Sequence, residues 1–421
     1  MPLHSKAYAY IMNLLMVSPL VVGIDAANLR RGGGVTHLIE LLGAAEPMRQ
    51  GISRVVIWGG TQTLAALTDR PWLDKRHPSE LDQGVLQRTL WQRFKLSKAG
   101  RAAGCDLLFV PGGSYAGSFR PVVTMSQNLL PFEFGELRRY GWSSTTLKML
   151  LLRWTQSRTF RRADAVIFLT QAAKASVLRV TGPLAGQCPI IPHGLNPRFL
   201  MPLKAQQGID AYETGHPYRV IYVSIIDQYK HQWQVVEAVA ALRRDGWPLA
   251  LDLVGPAYAP ALARLRDTIA RCDPRGDWVH YHGAVAYTDL HKLYAQADLG
   301  LFASSCENMP NILLETMAAG LPVACSDRGP MPEVLGDAGV YFDPERPADI
   351  ARALRELIAS PALRAEKAQA SYTAALAFDW RRCADETFGF LAGVAKRSRE
   401  QNLSNINFCS FPAWPSVDGE S

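Results

Sequence analysis

At 421 residues the chain exceeds one ordinary hydrophobic core and suits two domains of roughly 200 residues each. A composition of 48% hydrophobic and 20% charged residues excludes a disordered chain and a membrane-embedded one, and seven scattered cysteines with no Cys-x-x-Cys pair argue for reduced thiols in the cytosol, without structural zinc. The net charge of +7 hides an asymmetry: residues 1–200 hold 24 Lys+Arg against 11 Asp+Glu, a balance of +13, whereas 201–421 carry −6, so the first half is the one to meet an acidic partner.

The apolar stretch 7–24 is broken by Asn13, Ser18 and Pro19 and preceded only by Lys6, so residues 1–18 read as a disordered leader and Leu20–Ile24 as a buried strand. Gly32, Gly33 and Gly34 follow it, then an amphipathic helix from Val35 to Leu42. Consecutive glycines at the end of a strand let backbone amides approach a phosphate or sugar with no Cβ in the way. Further near-continuous apolar runs at Val55–Trp58, Leu107–Val110, Val122–Met125, Val166–Leu169 and Ile190–Ile191 predict parallel strands buried on both faces. Residues 61–98 read as a mobile loop plus a helix over Leu86–Phe94, one wall for an acceptor pocket. A helix over 143–162 combines leucines, Trp154 and the cations Lys148, Arg153, Arg158, Arg161 and Arg162. That pattern suits either a core helix with solvated arginines or a helix lying on an anionic membrane.

Ile191-Pro-His193-Gly194 is a rigid turn that closes a first domain over 19–200, and the aperiodic 201–217 reads as a linker. A second domain over 218–378 starts again with a strand at Arg219–Val223, the loop Ser224-Ile-Ile-Asp-Gln-Tyr-Lys230, and a helix over 232–244. Strands at Ala250–Val254 (ending in Gly255), Val279–Tyr281, Leu299–Phe302, Val323–Cys325 and Val340–Phe342 alternate with helices, and residues 399–421 read as a disordered tail. Both halves are thus doubly wound α/β.

The most informative stretch runs from Ser304 to Cys325. A strand leads into a polar loop with Glu307, and a helix begins near Pro310 and carries Glu315 on its second turn. Asn308 or Asn311 can cap it, and Pro310 suits its first position. Helix-end amides favour an anion such as phosphate, and the two carboxylates beside it can accept hydroxyls of a sugar or ribose. Gly33, Gly34, Gln127, His193, Lys230, Gly255 and Glu307 all follow predicted strands, where open α/β sheets bind ligands.

Glu307-x7-Glu315 in this setting resembles the retaining GT-B glycosyltransferases of family 4, the group 1 family. The resemblance covers roughly residues 20–395 and implies two facing Rossmann-like domains with an interdomain cleft, the segment 379–396 crossing back onto the first. It implies that Glu315 holds a donor ribose and Glu307 a sugar hydroxyl. Lys230 and the amides after Asn308 would neutralise a leaving diphosphate, with Ser224, Gly255, Pro310, Asn311, Ile312 and His193 around the donor. Two positions depart from the family pattern: Gln127 stands where a His is common, and Ile225 where an Arg is usual. An amide at 127 can bind a hydroxyl but cannot move protons at neutral pH. Asn128 and Arg153 are assigned to the acceptor.

The resulting expectation is transfer of a hexose, with mannose a candidate, from a nucleotide diphospho-sugar to a glycan or lipid-linked acceptor in bacterial surface polysaccharide assembly. The protein would be cytoplasmic or peripheral on the inner membrane face, with no cofactor and no nucleic acid. The chain contains no Asp-x-Asp, so metal independence is expected. The alternatives are a non-catalytic nucleotide-sugar-binding module and a GT-B-fold epimerase.

Overall fold

The computed structural model describes residues 18–30 and 32–408. The leader through residue 17 and the end of the chain from 409 lie outside the described residues. The first sheet is built from β1 (Leu20–Asp25), β2 (Ile52–Trp58), β3 (Leu73–Arg76), β4 (Leu107–Val110), β5 (Val122–Met125) and β6 (Ala165–Ile167), in the order β3-β2-β1-β4-β5-β6. The second contains β7 (Tyr218–Val223), β8 (Leu249–Val254), β9 (Val279–Tyr281), β10 (Leu299–Phe302), β11 (Val323–Ser326) and β12 (Gly339–Phe342), in the order β12-β11-β10-β7-β8-β9. Counted from its own first strand, each sheet has the same doubly wound order, which reverses beside that strand. The reversal points therefore lie between β1 and β4 and between β7 and β10. Buried apolar runs such as Val55–Ile57 and Leu249–Leu251 form the two cores, as parallel strands covered on both faces require.

The described residues divide into two compact units, one comprising residues to 124, 162–165 and from 384 on, the other 125–161 and 166–383. In the first unit, Asp25 at the end of β1 accepts hydrogen bonds from the Ala27 amide (3.0 Å) and the Gln92 side chain, and Arg88 donates to the Ala27 carbonyl at 3.0 Å. Burial pushes the Asp25 carboxyl up to about 6. This polar knot fixes the start of the loop that leads to the glycine run. The closing helix Trp380–Phe408 is held through Arg399, whose guanidinium meets Asp106 at 2.7 Å and the Ser18 carbonyl at 2.8 Å.

Four features differ from the sequence reading. β3 reads Leu-Asp-Lys-Arg, an edge strand whose charges discourage further pairing and also erase the apolar signal, so it looked like loop. Ile190–Ile191 contributes only an isolated bridge from Phe168 to Ile190. The last helix continues to Phe408, ten residues into the stretch read as tail, because Arg399 pairs with the half-buried Asp106 and the Ser18 carbonyl. The stretch 201–217, read as a linker, is fastened to its unit: Arg364 is fully buried and donates to Gln206 Oε1 and the Leu357 carbonyl, both at 3.0 Å, and to the carbonyls of Gln207 and Ile358. Lys204 Nζ adds bonds of 2.6 Å to the carbonyls of Ala295 and Ala297. Among the described residues, no helix is long and apolar enough to cross a membrane.

Arg364→Ala empties a fully buried site and strands the buried carbonyls of Leu357 and Ile358, so urea unfolding should show a loss on the order of 3 kcal/mol. Exposed Arg266→Ala should lie within about 0.5 kcal/mol of the parent. A midpoint for Arg364→Ala equal to that control would remove the role assigned to the buried guanidinium.

Candidate active site

At the reversal point of the second sheet, the loops leaving β7 and β10 lie side by side. Close packing starts at Gly255, where φ is +147° and a Cβ would stand 2.1 Å from the Ser224 carbonyl oxygen, so no larger residue fits. Ser224 is itself buried, and its hydroxyl is held by Gln232 Nε2 at 2.9 Å. The Tyr222 hydroxyl donates to the Lys230 carbonyl at 2.8 Å, and the Ser305 amide donates to the Tyr229 carbonyl at 2.9 Å. His231 then takes a left-handed conformation, φ 55°, and pairs through Nε2 with the Ser305 hydroxyl at 2.9 Å. Burial pushes its imidazole down to about 4, so it is neutral at pH 7.

These bonds bring the Lys230 ammonium onto Glu307 Oε1. Lys230 is buried, with its Nζ 5.0 Å from the centre of the Tyr229 ring and 5.5 Å from that of Phe302. A buried cation is tolerable only with such compensation, a carboxylate on one side and aromatic faces on others.

Beside the pair is a cavity of about 130 Å³ lined by Gln127, Asn128, Leu129, Leu130, Tyr229, Cys306, Glu307 and Asn308. Gln127 Nε2 touches Met125 Sδ at 3.2 Å, and Asn128 Oδ1 accepts the Leu130 amide at 3.2 Å. Asn308 is buried, its Nδ2 3.4 Å from the Ser126 hydroxyl and its carbonyl accepting the Thr170 hydroxyl at 2.9 Å, while its Oδ1 has no partner among the described residues. Thr170 also caps the helix Gln171–Thr181, whose first two amides are taken by the Glu333 carboxylate at 2.7 and 2.9 Å. Tyr140 donates to Asp227 at 2.6 Å, and Arg139 is shared between Glu136 and Glu345, each at 2.7 Å. Those carboxylates hold the Arg139 guanidinium above its usual range, against burial.

The helix after Glu307 spans Asn311–Ala318, one residue later than expected, with Pro310 at the cap position. Neither asparagine caps it, because both side chains are used elsewhere: Asn308 reaches Ser126 and Asn311 Oδ1 meets His193 Nδ1 at 3.2 Å. His193 stacks on Trp380 with ring centres 5.6 Å apart, and burial pushes it down to about 4. Gly194 is required beside it, since a Cβ would sit 2.2 Å from the Trp380 amide nitrogen. Ile312 is half-buried, and its carbonyl accepts the Thr316 hydroxyl at 2.8 Å. Glu315 is almost wholly buried, which pushes its carboxyl up to about 8 despite the opposing hydrogen bond of Tyr287 and charge of Arg198. Its Oε2 has no partner among the described residues, and the Arg198 guanidinium lies 5.1 Å from the Tyr287 ring centre.

The structure thus gathers Gln127, Asn128, Glu307 and Asn308 around one cavity, with Lys230 on Glu307, His193 on Asn311, and Ser224 against Gly255. Arg153 does not line that cavity; it lies within the helix Ser144–Arg162. Gly33 and Gly34 open the helix Gly33–Ala44 of the first unit. Sequence reasoning passed over Tyr229, Cys306 and Tyr287, and the supporting Tyr140–Asp227 bond. Tyr229 was the legible one, standing next to Lys230 in a loop already singled out.

Two doubly wound six-stranded sheets of identical order are the GT-B architecture. Sucrose-phosphate synthase from Thermosynechococcus elongatus has the same fold, with a TM-score of 0.66 over 91% of this chain and 100% of that one at 19% identity. Anabaena HepE, solved in complex with UDP-glucose, aligns with a TM-score of 0.62 over 92% and 100% at 18% identity. The family described as "Glycosyl transferases group 1" matches residues 217–360, the stretch containing Lys230, Glu307 and Glu315. The O-antigen chain mannosyltransferase B of Escherichia coli is 33% identical over 113 residues, 27% of this chain and 30% of the relative. A glycogen synthase of Mycobacterium tuberculosis is 26% identical over 63% of this chain and 62% of its own length. These two alignments therefore span less than two thirds of the relatives. The GDP-mannose-dependent alpha-(1-6)-phosphatidylinositol monomannoside mannosyltransferase of the same organism is 28% identical over 351 residues, 78% of this chain and 86% of the relative.

Glu315 gives a titration test. A carboxyl raised from 4.5 to about 8 in the folded state keeps a proton that the unfolded chain has lost, so its contribution is full below pH 4.5 and falls as pH rises toward 8. The melting temperature of the wild type should therefore drop relative to Glu315→Gln between pH 5 and pH 8 in the absence of ligand. A difference between the two that is flat with pH would show that the carboxyl titrates normally.

Proposed function

We propose that the chain is a retaining glycosyltransferase that moves a hexose, with mannose favoured, from a nucleotide diphospho-sugar to a glycan or lipid-linked acceptor. The observation that carries this reading is the buried Lys230–Glu307 pair, at the sheet's reversal point and beside a polar cavity. Support for the donor class comes from a structural neighbour described in complex with UDP-glucose and a relative named as GDP-mannose-dependent. Support for mannose and for a surface-polysaccharide or lipid-linked acceptor comes from the names of the two mannosyltransferase relatives.

In this reading Lys230 neutralises charge that develops on the departing diphosphate. The carbon–oxygen bond to the leaving group is largely broken in such a transition state, so stabilising the leaving anion is the main catalytic contribution and positioning the second. Glu307 orients the ammonium and accepts a sugar hydroxyl, while the unpartnered Oε2 of Glu315 is the acceptor a ribose hydroxyl would satisfy. Ile225 supplies no charge where the family resemblance implies an Arg, and Arg139 is committed to two carboxylates. Lys230 and the amides at the start of the helix Asn311–Ala318 therefore carry the phosphate. Gln127 and Asn128 hold a sugar or acceptor hydroxyl without transferring protons, and His193 acts by fixing Asn311. The basic balance of residues 1–200 favours an acceptor at the anionic inner face of a membrane.

Thermal-shift screening of nucleotide sugars, followed by turnover with lipid-linked acceptors, tests the reading. Lys230→Ala and Glu307→Gln should each lower kcat by about 100-fold or more with near-UV circular dichroism unchanged, and wild-type turnover should persist in EDTA. Near-wild-type rates in both variants, or binding of a nucleotide sugar with no transfer, would refute it; the latter outcome identifies a binding module.

A further inference from the structure

The helix Ser144–Arg162 is folded inside out. Its buried positions include Gln156, Ser157 and Thr159, with Met149 and Phe160 the buried large apolar side chains, whereas Leu147, Leu150, Leu151 and Trp154 point to solvent and Leu152 is half-buried. Leu147 is 71% exposed, Leu150 41%, Leu151 60% and Trp154 62%, at spacings of three, four and seven residues that make one continuous stripe. Trp142, in the turn just before the helix, is completely exposed. A helix normally buries its apolar stripe, so this one is built to be covered by something outside its own fold.

The surrounding charge says what covers it. From residue 137 to 163 there is no Asp or Glu, while Arg138, Arg139, Lys148, Arg153, Arg158, Arg161 and Arg162 supply seven cations. Of these, Lys148, Arg158, Arg161 and Arg162 are exposed alongside the stripe. Tryptophans at an apolar edge with flanking Lys and Arg match the boundary between lipid headgroups and acyl chains, where rings sit at the interface and cations meet phosphate. A soluble partner or a second copy would also have to match an all-basic border with acids of its own, which the second half of this chain, at −6, spreads through a folded domain and does not offer as an apolar stripe.

We propose that Trp142, Leu147, Leu150, Leu151 and Trp154 form a membrane-docking face that inserts its side chains into an anionic lipid surface, with the exposed cations on the headgroups. It deepens the lipid-linked-acceptor reading by naming the element that brings the enzyme to its acceptor. The binding is then partly apolar, so it weakens with salt but is not abolished by it.

The test is flotation of the full chain with vesicles of phosphatidylcholine alone or with 30% phosphatidylglycerol (about one anionic lipid in three), at low and high salt. Wild-type protein should float with the anionic vesicles and retain a measurable fraction at high salt, and Leu147→Ser/Leu151→Ser/Trp154→Ser should reduce partitioning at least tenfold. The substituted side chains are solvent-exposed, so the melting temperature and any nucleotide-sugar thermal shift should match the parent. Equal flotation of parent and variant, or none by the parent, overturns the proposal. Sedimentation showing a dimer that the triple variant dissolves, without lipid binding, overturns it in favour of a second copy. Vesicle binding that persists in a protein no nucleotide sugar stabilises would sink the transferase reading and leave the docking face standing.

Discussion

The contact on which the second unit turns is that between Lys230 and Glu307. Neither side chain could be buried alone, because an uncompensated charge in a protein interior is worth several kcal/mol of destabilisation. Each is delivered by a loop at the carboxyl end of a central strand, and those strands are neighbours only because the chain crosses over between β9 and β10 and returns beside β7. Supersecondary order thus places the ion pair. The left-handed His231, the Ser305–Tyr229 bond and the glycine at 255 then set it to within hydrogen-bond reach.

A second layer of bonds supports those loops from residues distant in sequence. Tyr140 holds Asp227, Thr170 holds the Asn308 carbonyl, and His193 holds Asn311. These contacts belong to the same compact unit as the second sheet, so residues 125–161 and 166–200 serve as scaffold for the loop around Glu307. His193 and His231 are both kept neutral by burial, which suits positioning and not proton transfer.

Much of the architecture was legible because parallel strands covered on both faces must be apolar throughout, and runs such as Leu107–Val110 and Leu299–Phe302 have no other explanation. What escaped has a physical reason in each case. β3 is an edge strand carrying Asp74, Lys75 and Arg76, so its sequence describes its solvent side and not its pairing. The cap of the helix Asn311–Ala318 was misassigned because an asparagine's propensity to cap says nothing about a tertiary partner, and Ser126 and His193 outcompete the local amides. Glu307 and Lys230 could be named from the sequence, but their direct pairing could not, since 77 residues separate them. The helix over 143–162 had two readings of equal standing from its composition, because composition alone does not say that Leu147, Leu150, Leu151 and Trp154 face outward.

Glu333 has a less obvious consequence. By laying its carboxylate across the opening amides of the helix Gln171–Thr181, the chain fills one of its own anion seats with a tethered anion. An anion from solution finds that berth taken, its amides already spent on a neighbour.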